Sequence, residues 1–148
     1  MQGRPIGMVA DSIISNEYKL DIGMKESAYY YNSGINLLDA EQWKAQHSIE
    51  KIVAFAQQGR VFGTVDQDYL NVVLEDNVYT LPLQYNVQCI HFLCSAKGYA
   101  NCFKNVAPYY GFDEIQEACK HPTIAHYEKF ASMSPWHKNS VNPCTKMC

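Results

Sequence analysis

The sequence contains no hydrophobic run long enough to cross a membrane and no block of charge of one sign. A membrane-spanning helix needs about 18 or more consecutive, mainly apolar residues. The net charge is −3, and acidic and basic residues are interspersed along the chain. Nucleic-acid-binding domains instead concentrate lysine and arginine on one face. These absences argue against a transmembrane segment and against a nucleic-acid partner.

The start of the chain also lacks the basic-then-apolar pattern of a secretory signal peptide. The six cysteines include no Cys-x-x-Cys pair, which is the spacing typical of a zinc ribbon. We therefore expect reduced thiols in a cytoplasmic protein. A metal knot formed by Cys144, Cys148 and His137 in the polar tail is one alternative, and a disulfide-bonded secreted protein is another.

The sequence does contain enough apolar residues, 47% of 148, to form the buried core of one domain. Strand-like runs alternate with helical patterns, which favours the α/β class. Strands are predicted at residues 6–10, 35–38, 78–81 and 122–127. Helices are predicted at residues 40–58, 64–74, 91–104 and 112–120, and residues 12–28 read as a loop or a broken helix.

Helix-capping patterns support two of these helices. Asp39 with Gln42, and Thr64 with Gln67, have the spacing of a capping box, in which each side chain bonds the other residue's amide. The first helix is expected to end at Gly59. It carries an apolar stripe that we assign to scaffold, namely Ala45, Ile49, Ile52, Val53 and Ala56. The second helix is expected to turn its apolar residues inward, namely Leu70, Val73 and Leu74.

The triplet Asp66-Gln67-Asp68 spells Asp-x-Asp, a pattern that binds metal in many glycosyltransferases. A metal-binding version normally ends a buried strand, whereas this triplet opens a predicted helix. Carboxylates in a first helical turn are also favoured by the helix dipole. We therefore expect no metal to be bound by this triplet.

Further segments mix apolar residues with amides or histidine. Tyr31-Asn32-Ser33-Gly34 precedes a predicted strand and could also be a simple turn. Leu81-Pro82-Leu83-Gln84-Tyr85-Asn86 follows another strand. Ile124-Ala125-His126 ends the last one, where a lone histidine is usually structural.

In their order and spacing, these segments together with Asp66-Gln67-Asp68-Tyr69-Leu70-Asn71 resemble the second half of a family 8 retaining glycosyltransferase. The resemblance covers most of residues 5–136. It implies an α/β fold that is the C-terminal part of a GT-A fold, the Rossmann-like fold of nucleotide-diphospho-sugar transferases. It also implies that the nucleotide-binding N-terminal half is absent upstream of Met1. Residues 1–136 would form the family domain, and residues 137–148 a polar tail.

The resemblance also implies roles for individual residues. Gln67 and Asp68 would be catalytic, with Asp68 stabilising positive charge at the sugar's anomeric carbon. His126 would be a ligand of Mn²⁺, to which an imidazole nitrogen is suited. The substrate-binding residues would be Asn32, Ser33, Gly34, Asp66 and Asn86.

The match weakens after His126. The family continues with a glycine and a lysine that hold the diphosphate, followed by Pro-Trp. Here Pro135 and Trp136 are present, but the spacer is longer and both other residues are missing. Lys129 or Lys138 is our hypothesis for the substitute charge.

The function implied is Mn²⁺-dependent transfer of a hexose from UDP-glucose or UDP-galactose to a saccharide acceptor, with retention of anomeric configuration. Lipopolysaccharide or another surface glycan is the expected acceptor, at the cytoplasmic face of the membrane. Alone, the chain is expected to be inactive, because one imidazole cannot complete a site of about six ligands. A separate nucleotide-binding half would then be its partner. The alternative is a non-catalytic or degenerate module that pairs with another chain or binds glycan.

Overall fold

The computed structural model describes residues 1–11, 13–93 and 109–127. They belong to two compact units, the first containing residues 1–11, 13–81 and 109, and the second containing residues 82–93 and 110–127. Strands and helices occur in both units. The predicted α/β class is therefore confirmed.

The first unit is built on a three-stranded sheet with β1 (Ile6–Ala10) at its centre. One neighbour is β2 (Tyr31–Leu38), which is antiparallel to β1, and the other is β3 (Val78–Thr80), which is parallel to it. Every residue of β1 is buried, as expected for an apolar strand that is covered on both faces. The predicted strand at residues 6–10 is confirmed with its bounds, and the one at 78–81 is confirmed but ends at Thr80.

Strand β2 begins earlier than predicted and contains a bulge. Val9 pairs with Asn32 and the preceding Met8 pairs with Asn36, so residues 33–35 have no counterpart on β1. A bulge of this kind bends the strand and redirects its side chains. The predicted strand at 35–38 is therefore only the second part of β2.

Residues 12–28 were predicted to be a loop or a broken helix, and the described part, residues 13–28, contains a short helix, α1 (Asn16–Ile22). The hydroxyl of Ser15 accepts a hydrogen bond from the Tyr18 amide at 3.1 Å, which caps the helix at its start. Gly23 ends the helix in the left-handed conformation, with φ of 94°. Seven residues are too few for a clear helical period, and this explains why the sequence pattern was ambiguous.

The single helix predicted for residues 40–58 is wrong, because His47 breaks it into α2 (Ala40–Ala45) and α3 (Ser48–Ala56). His47 has φ of 53°, which lies in the left-handed region and interrupts the helical hydrogen bonds. The predicted cap at Asp39 is confirmed, since its carboxylate accepts from the Gln42 amide at 3.0 Å. The reciprocal bond is absent, because the Asp39 amide donates to the carbonyl of Pro5 instead.

The apolar stripe assigned to this helix is only partly internal. Ile49 is 52% exposed and Val53 is 46% exposed. The inward contact of α3 is made by Phe55, which packs against the buried cluster of the first unit. That cluster contains Ile22, Met24, Ala28, Tyr30 and Phe62.

Helix α4 (Val65–Val73) starts after Thr64, as predicted, but its buried face is polar. Asp68 and Asn71 are fully buried, and of the predicted inward residues only Leu74 is buried. The capping box with Gln67 is wrong, because the Thr64 amide donates to Asp68 at 2.9 Å. This leaves the amide side chain of Gln67 available to other groups.

The second unit contains two short parallel strands, β4 (Val87–Gln88) and β5 (Ala125–His126). A 3-10 turn (Leu83–Tyr85) precedes β4, and helix α5 (Cys89–Leu93) follows it. Helix α6 (Phe112–Lys120) has the predicted bounds. The predicted strand at 122–127 is reduced to β5, and residues 94–104 of the predicted helix at 91–104 lie outside the described residues.

Candidate functional site

The bulge of β2 presents the predicted residues Asn32, Ser33 and Gly34 beside the start of α4. The side-chain oxygen Oδ1 of Asn32 accepts from the Gly34 amide at 3.0 Å, and the Asn36 side chain donates to the Ser33 backbone carbonyl at 2.9 Å. Both asparagines thus satisfy backbone groups that the bulge removes from the sheet ladder. This local bracing explains why the segment is rich in small polar residues.

Asp66 and Gln67 meet the bulge through Ser33. The Ser33 hydroxyl donates to the Asp66 carboxylate at 2.9 Å, and the Ser33 amide donates to Gln67 Oε1 at 2.9 Å. Asp66 is exposed, and the preceding Val65 has φ of 33°, a rare backbone conformation for a β-branched residue. The structure therefore brings two predicted segments, separated by about thirty residues in sequence, into direct contact.

The remaining side-chain bonds of Gln67 identify a residue to which the sequence analysis gave no role. Gln67 Nε2 donates to Asp11 Oδ2 at 3.2 Å and to the Tyr30 hydroxyl at 3.3 Å. Asp11 directly follows β1, is buried, and also accepts from Asn32 Nδ2 at 3.2 Å. A carboxylate placed at the end of a buried strand is the signal that could have revealed it.

Asp68 is buried, and both of its carboxylate oxygens accept hydrogen bonds. Oδ1 accepts from the Tyr30 hydroxyl at 2.6 Å, and Oδ2 accepts from the Tyr18 hydroxyl at 2.8 Å as well as from the Thr64 amide. Burial would raise the pKa of Asp68, but the bonds from Tyr30, Thr64 and Tyr18 outweigh it and leave the pKa lowered. Asp68 is fully buried, so its geometry fits a residue that positions α4 and the two tyrosines.

Asn71 is a second buried contributor that was not among the predicted site residues. Its side chain accepts from the Tyr31 amide at 2.6 Å and donates to the Tyr31 carbonyl at 2.7 Å. It also donates to the Gln67 carbonyl at 2.8 Å. These bonds tie α4 to the first residue of β2, which fixes Gln67 relative to the bulge.

The other predicted residues, Asn86 and His126, belong to the second unit. Asn86 is fully buried where the 3-10 turn ends, and its backbone amide donates to the Leu83 backbone carbonyl at 3.0 Å. His126 is half-buried on β5, opposite Gln88 of β4. Its carbonyl accepts from the Cys89 thiol at 3.4 Å.

Within residues 1–11, 13–93 and 109–127, no three His, Cys, Asp or Glu side chains are grouped as a metal site would need. The described residues therefore do not by themselves fit a complete Mn²⁺ site, and the assignment of His126 as a ligand stays a prediction. Lys129, Lys138 and the proposed tail knot of Cys144, Cys148 and His137 lie outside the described residues. No helix in the described ranges combines the length and the apolar character needed to cross a membrane.

Sequence comparison places these features in a known family. Residues 1–140 match the profile of Glycosyl transferase family 8. General stress protein A of Bacillus subtilis (strain 168) is 28% identical over 126 residues, 83% of this chain and 41% of that protein. Lipopolysaccharide 1,2-glucosyltransferase of Escherichia coli (strain K12) is 27% identical over 119 residues, 79% of this chain and 31% of that protein.

The solved structure of galactosyltransferase LgtC, in complex with donor and acceptor sugar analogues, has the same fold. It superimposes with a TM-score of 0.66 at 20% identity, covering 95% of this chain and 48% of the LgtC chain. An active-site mutant of LgtC, with glutamine replaced by glutamate, superimposes equally well, with a TM-score of 0.66 at 19% identity over 94% of this chain and 48% of that one.

The chain spans less than half the length of each of these relatives. The match to the family profile nevertheless extends over nearly all of its residues. The mixed α/β fold is that of the GT-A glycosyltransferases. The resemblance inferred from the ordered motifs is confirmed, and the chain belongs to glycosyltransferase family 8.

Proposed function

We propose that the whole protein transfers a hexose from UDP-glucose or UDP-galactose to a saccharide acceptor of the lipopolysaccharide type, with retention of anomeric configuration. In this proposal the surface formed by the β2 bulge and the start of α4 holds the donor sugar. The similarity to lipopolysaccharide 1,2-glucosyltransferase of Escherichia coli, and the binding of donor and acceptor sugar analogues by LgtC, support this choice of substrates.

The observation that carries the proposal is the fixed amide of Gln67. Its oxygen is held by the Ser33 amide and its nitrogen by Asp11 and Tyr30. A preorganised polar group of this kind can stabilise charge that develops at the anomeric carbon without reorganising during the reaction. LgtC also has a glutamine in its active site, and we assign that role to Gln67.

The neighbouring residues take supporting roles in the same proposal. Asp66, Ser33 and Gly34 bind sugar hydroxyls at the surface, and Asn32 holds Asp11. Asp68, although predicted from the sequence to act at the anomeric carbon, positions Tyr30 and the start of α4. Asn86, in the second unit, is proposed as a further substrate-binding residue.

A divalent metal, Mn²⁺ in this proposal, would neutralise the departing diphosphate when bound. His126 is the described residue that we propose as one of its ligands. The donor sugar, the saccharide acceptor and the metal are thus the partners proposed for the whole protein.

The test is donor turnover by the full-length protein that contains this chain. Replacing Gln67 with Ala is expected to lower kcat about 100-fold or more, because a preorganised charge-stabilising group is lost. Replacing Asp11 with Asn should lower kcat by about tenfold, because the Gln67 amide loses its charged acceptor. Proton NMR of the product gives the anomeric configuration directly.

Gln58→Ala is the matched control, because Gln58 is exposed on the segment after α3. This variant should retain wild-type turnover, and melting temperatures should show that all variants fold. Turnover of Gln67→Ala within about twofold of wild type would contradict the role of Gln67. A product of inverted configuration would contradict the proposed reaction.

A further inference from the structure

A groove of about 330 Å³ opens on the first unit, and none of the predicted site residues lines it. Its walls are mainly aromatic and polar, and they include Arg4, Tyr29, Tyr31, Tyr79 and Thr80. Tyr29 is 41% exposed, so its ring is accessible to a ligand. This combination of rings, hydroxyls and a cation is the chemistry with which proteins bind sugars.

The groove is lined by different side chains from those that bond Gln67. Tyr29 and Tyr31 line the groove, whereas the hydroxyl of Tyr30 bonds Asp68 and Gln67. Neighbouring side chains in an extended segment point in opposite directions. The groove is therefore separate from the proposed donor site, although the same segment contributes to both.

The tyrosine rings of the groove are held in place by their neighbours. The centroids of Tyr29 and Tyr31 are 6.1 Å apart, and the ring of Tyr29 lies 4.5 Å from that of Tyr109. The hydroxyls of Tyr31 and Thr80 share a hydrogen bond of 2.8 Å. A rigid aromatic wall loses little conformational entropy when a ligand stacks on it.

Arg4 supplies a positive charge that no carboxylate of the described residues neutralises. Its Nη1 donates to the carbonyls of Val78 and Asp76 at 2.7 and 3.1 Å, which fixes the guanidinium group. The carboxylate of Asp76 pairs with Lys25 instead. Burial raises the pKa of Tyr31, and the hydrogen bond with Thr80 and the positive charge of Arg4 oppose that rise.

We propose that this groove is a second carbohydrate site, specific for a saccharide that carries a phosphate or a carboxylate. The ring of Tyr29 stacks on the apolar face of the sugar, and Arg4 binds its anionic group with a planar, fixed guanidinium. The inference concerns binding only, and it does not rest on the proposed transfer reaction.

The experiment is a titration of the chain by amide-resolved NMR with glucose 6-phosphate, galacturonate, glucose and inorganic phosphate. The two anionic sugars should bind about tenfold more tightly than glucose or phosphate, because only they engage both Arg4 and Tyr29. The shifted amides should include those of residues 29–31 and 78–80.

Variants separate the two contacts. Arg4→Met should remove the advantage of the anionic sugars to within about twofold of glucose. Arg4→Lys, which keeps the charge but not the planar fork, should retain part of that advantage. Tyr29→Leu should weaken both sugars about threefold or more, because the aromatic face is lost.

The controls are a tyrosine and an arginine outside the groove. Tyr85 is 37% exposed, close to the 41% of Tyr29, and Arg60 packs over Phe62. Because neither residue lines the groove, Tyr85→Leu and Arg60→Met should bind as the wild type does. Phosphate alone binding as tightly as glucose 6-phosphate would overturn the proposal, since the groove would then be only an anion contact. If neither anionic sugar binds at about 20 mM, a concentration well above the dissociation constant of a typical weak complex, the proposal is also overturned.

Discussion

The carboxylate of Asp68 is the residue on which the start of α4 depends. It is fully buried, yet it receives hydrogen bonds from two tyrosine hydroxyls and one backbone amide. Hydrogen bonds to a charged group contribute more to the stability of the fold than hydrogen bonds between neutral groups do. Without that charge, the hydroxyls of Tyr18 and Tyr30 and the backbone amide of Thr64 would lose their charged acceptor.

Replacing Asp68 with Asn should therefore lower the free energy of unfolding by about 2 kcal/mol or more. The Asn side chain offers a donor in place of one of the two oxygens that accept these hydrogen bonds, so at least one of the bonds is lost or reversed. Urea titration followed by circular dichroism measures the change.

Asp66→Asn is the matched control, because Asp66 is exposed and accepts from the Ser33 hydroxyl alone among the described contacts. It should change the free energy of unfolding by less than about 0.5 kcal/mol. Equal effects of both substitutions would contradict the positioning role of Asp68.

At the scale of elements, three aromatic rings join α3 to α4 and to the segment between them. Phe55 and Phe62 stack with centroids 5.8 Å apart, and Tyr69 meets both rings edge-on at 5.9 and 5.2 Å. The opposite side of α3 contributes little to the core, because Ile49 is half exposed. Burial of the rings, rather than the apolar stripe, thus attaches α3 to the unit.

Phe62→Ala should consequently destabilise the chain by about 3 kcal/mol, which is the usual cost of removing a buried ring. Ile49→Ala should cost less than about 1 kcal/mol, because the isoleucine side chain keeps much of its contact with water. Thermal and urea unfolding measure both values. A larger loss for Ile49→Ala than for Phe62→Ala would show that the stripe, and not the ring cluster, stabilises α3.

The elements that the sequence predicted best are those whose signals are local. Strand β1 is a continuous apolar run, and α6 has a strong helical pattern between breakers, so both were found with their bounds. The break at His47 was missed, because its left-handed backbone has no signal such as glycine. The bulge of β2 was missed as well, because it exists only in the pairing with β1.

The same reasoning explains what could be predicted of the site. The ordered motifs identified Asn32, Ser33, Asp66 and Gln67, and the structure brings these into one hydrogen-bonded group. The position of Asp11 after a buried strand is a local signal, but its partners Asn32 and Gln67 lie 21 and 56 residues away in sequence. Contacts over such distances arise from the fold, so the bonds that give Asp11 its place in the site could not be predicted.

For the whole molecule, two buried groups, His91 and Asp68, make the free energy of unfolding depend on pH, each over its own acidic range. Burial lowers the pKa of His91 from 6.5 to about 4. Between these values the unfolded chain binds a proton that the folded chain excludes, so stability falls as the pH drops from 6.5 to about 4. The pKa of Asp68 is lowered below its ordinary value of 3.8 by folding, so its ionised carboxylate stabilises the folded state above that value. This stabilisation is lost as the pH falls below 3.8 and through the pKa of the folded state.

His91→Gln should therefore flatten the stability curve between pH 6.5 and 4, where the wild-type protein loses up to about 3 kcal/mol to this group. The loss below pH 3.8 should remain in that variant and be reduced in Asp68→Asn. Urea titrations at a series of pH values measure the loss in both ranges. His121→Gln serves as the control, because His121 is exposed, and an equal flattening in this variant would contradict the assignment to His91.

The side chain of Asn71 protects one end of strand β2 from pairing with a strand of another molecule. Its carboxamide exchanges both hydrogen bonds with the backbone of Tyr31, which is what a residue on an adjacent antiparallel strand would do. An amide borne by a helix thus imitates a peptide group and occupies the start of the outer strand β2. Exposed strand edges recruit foreign strands and seed aggregates. At Tyr31 this chain closes its own edge with one asparagine, so an intruding strand would have to displace α4 before it could begin to pair there.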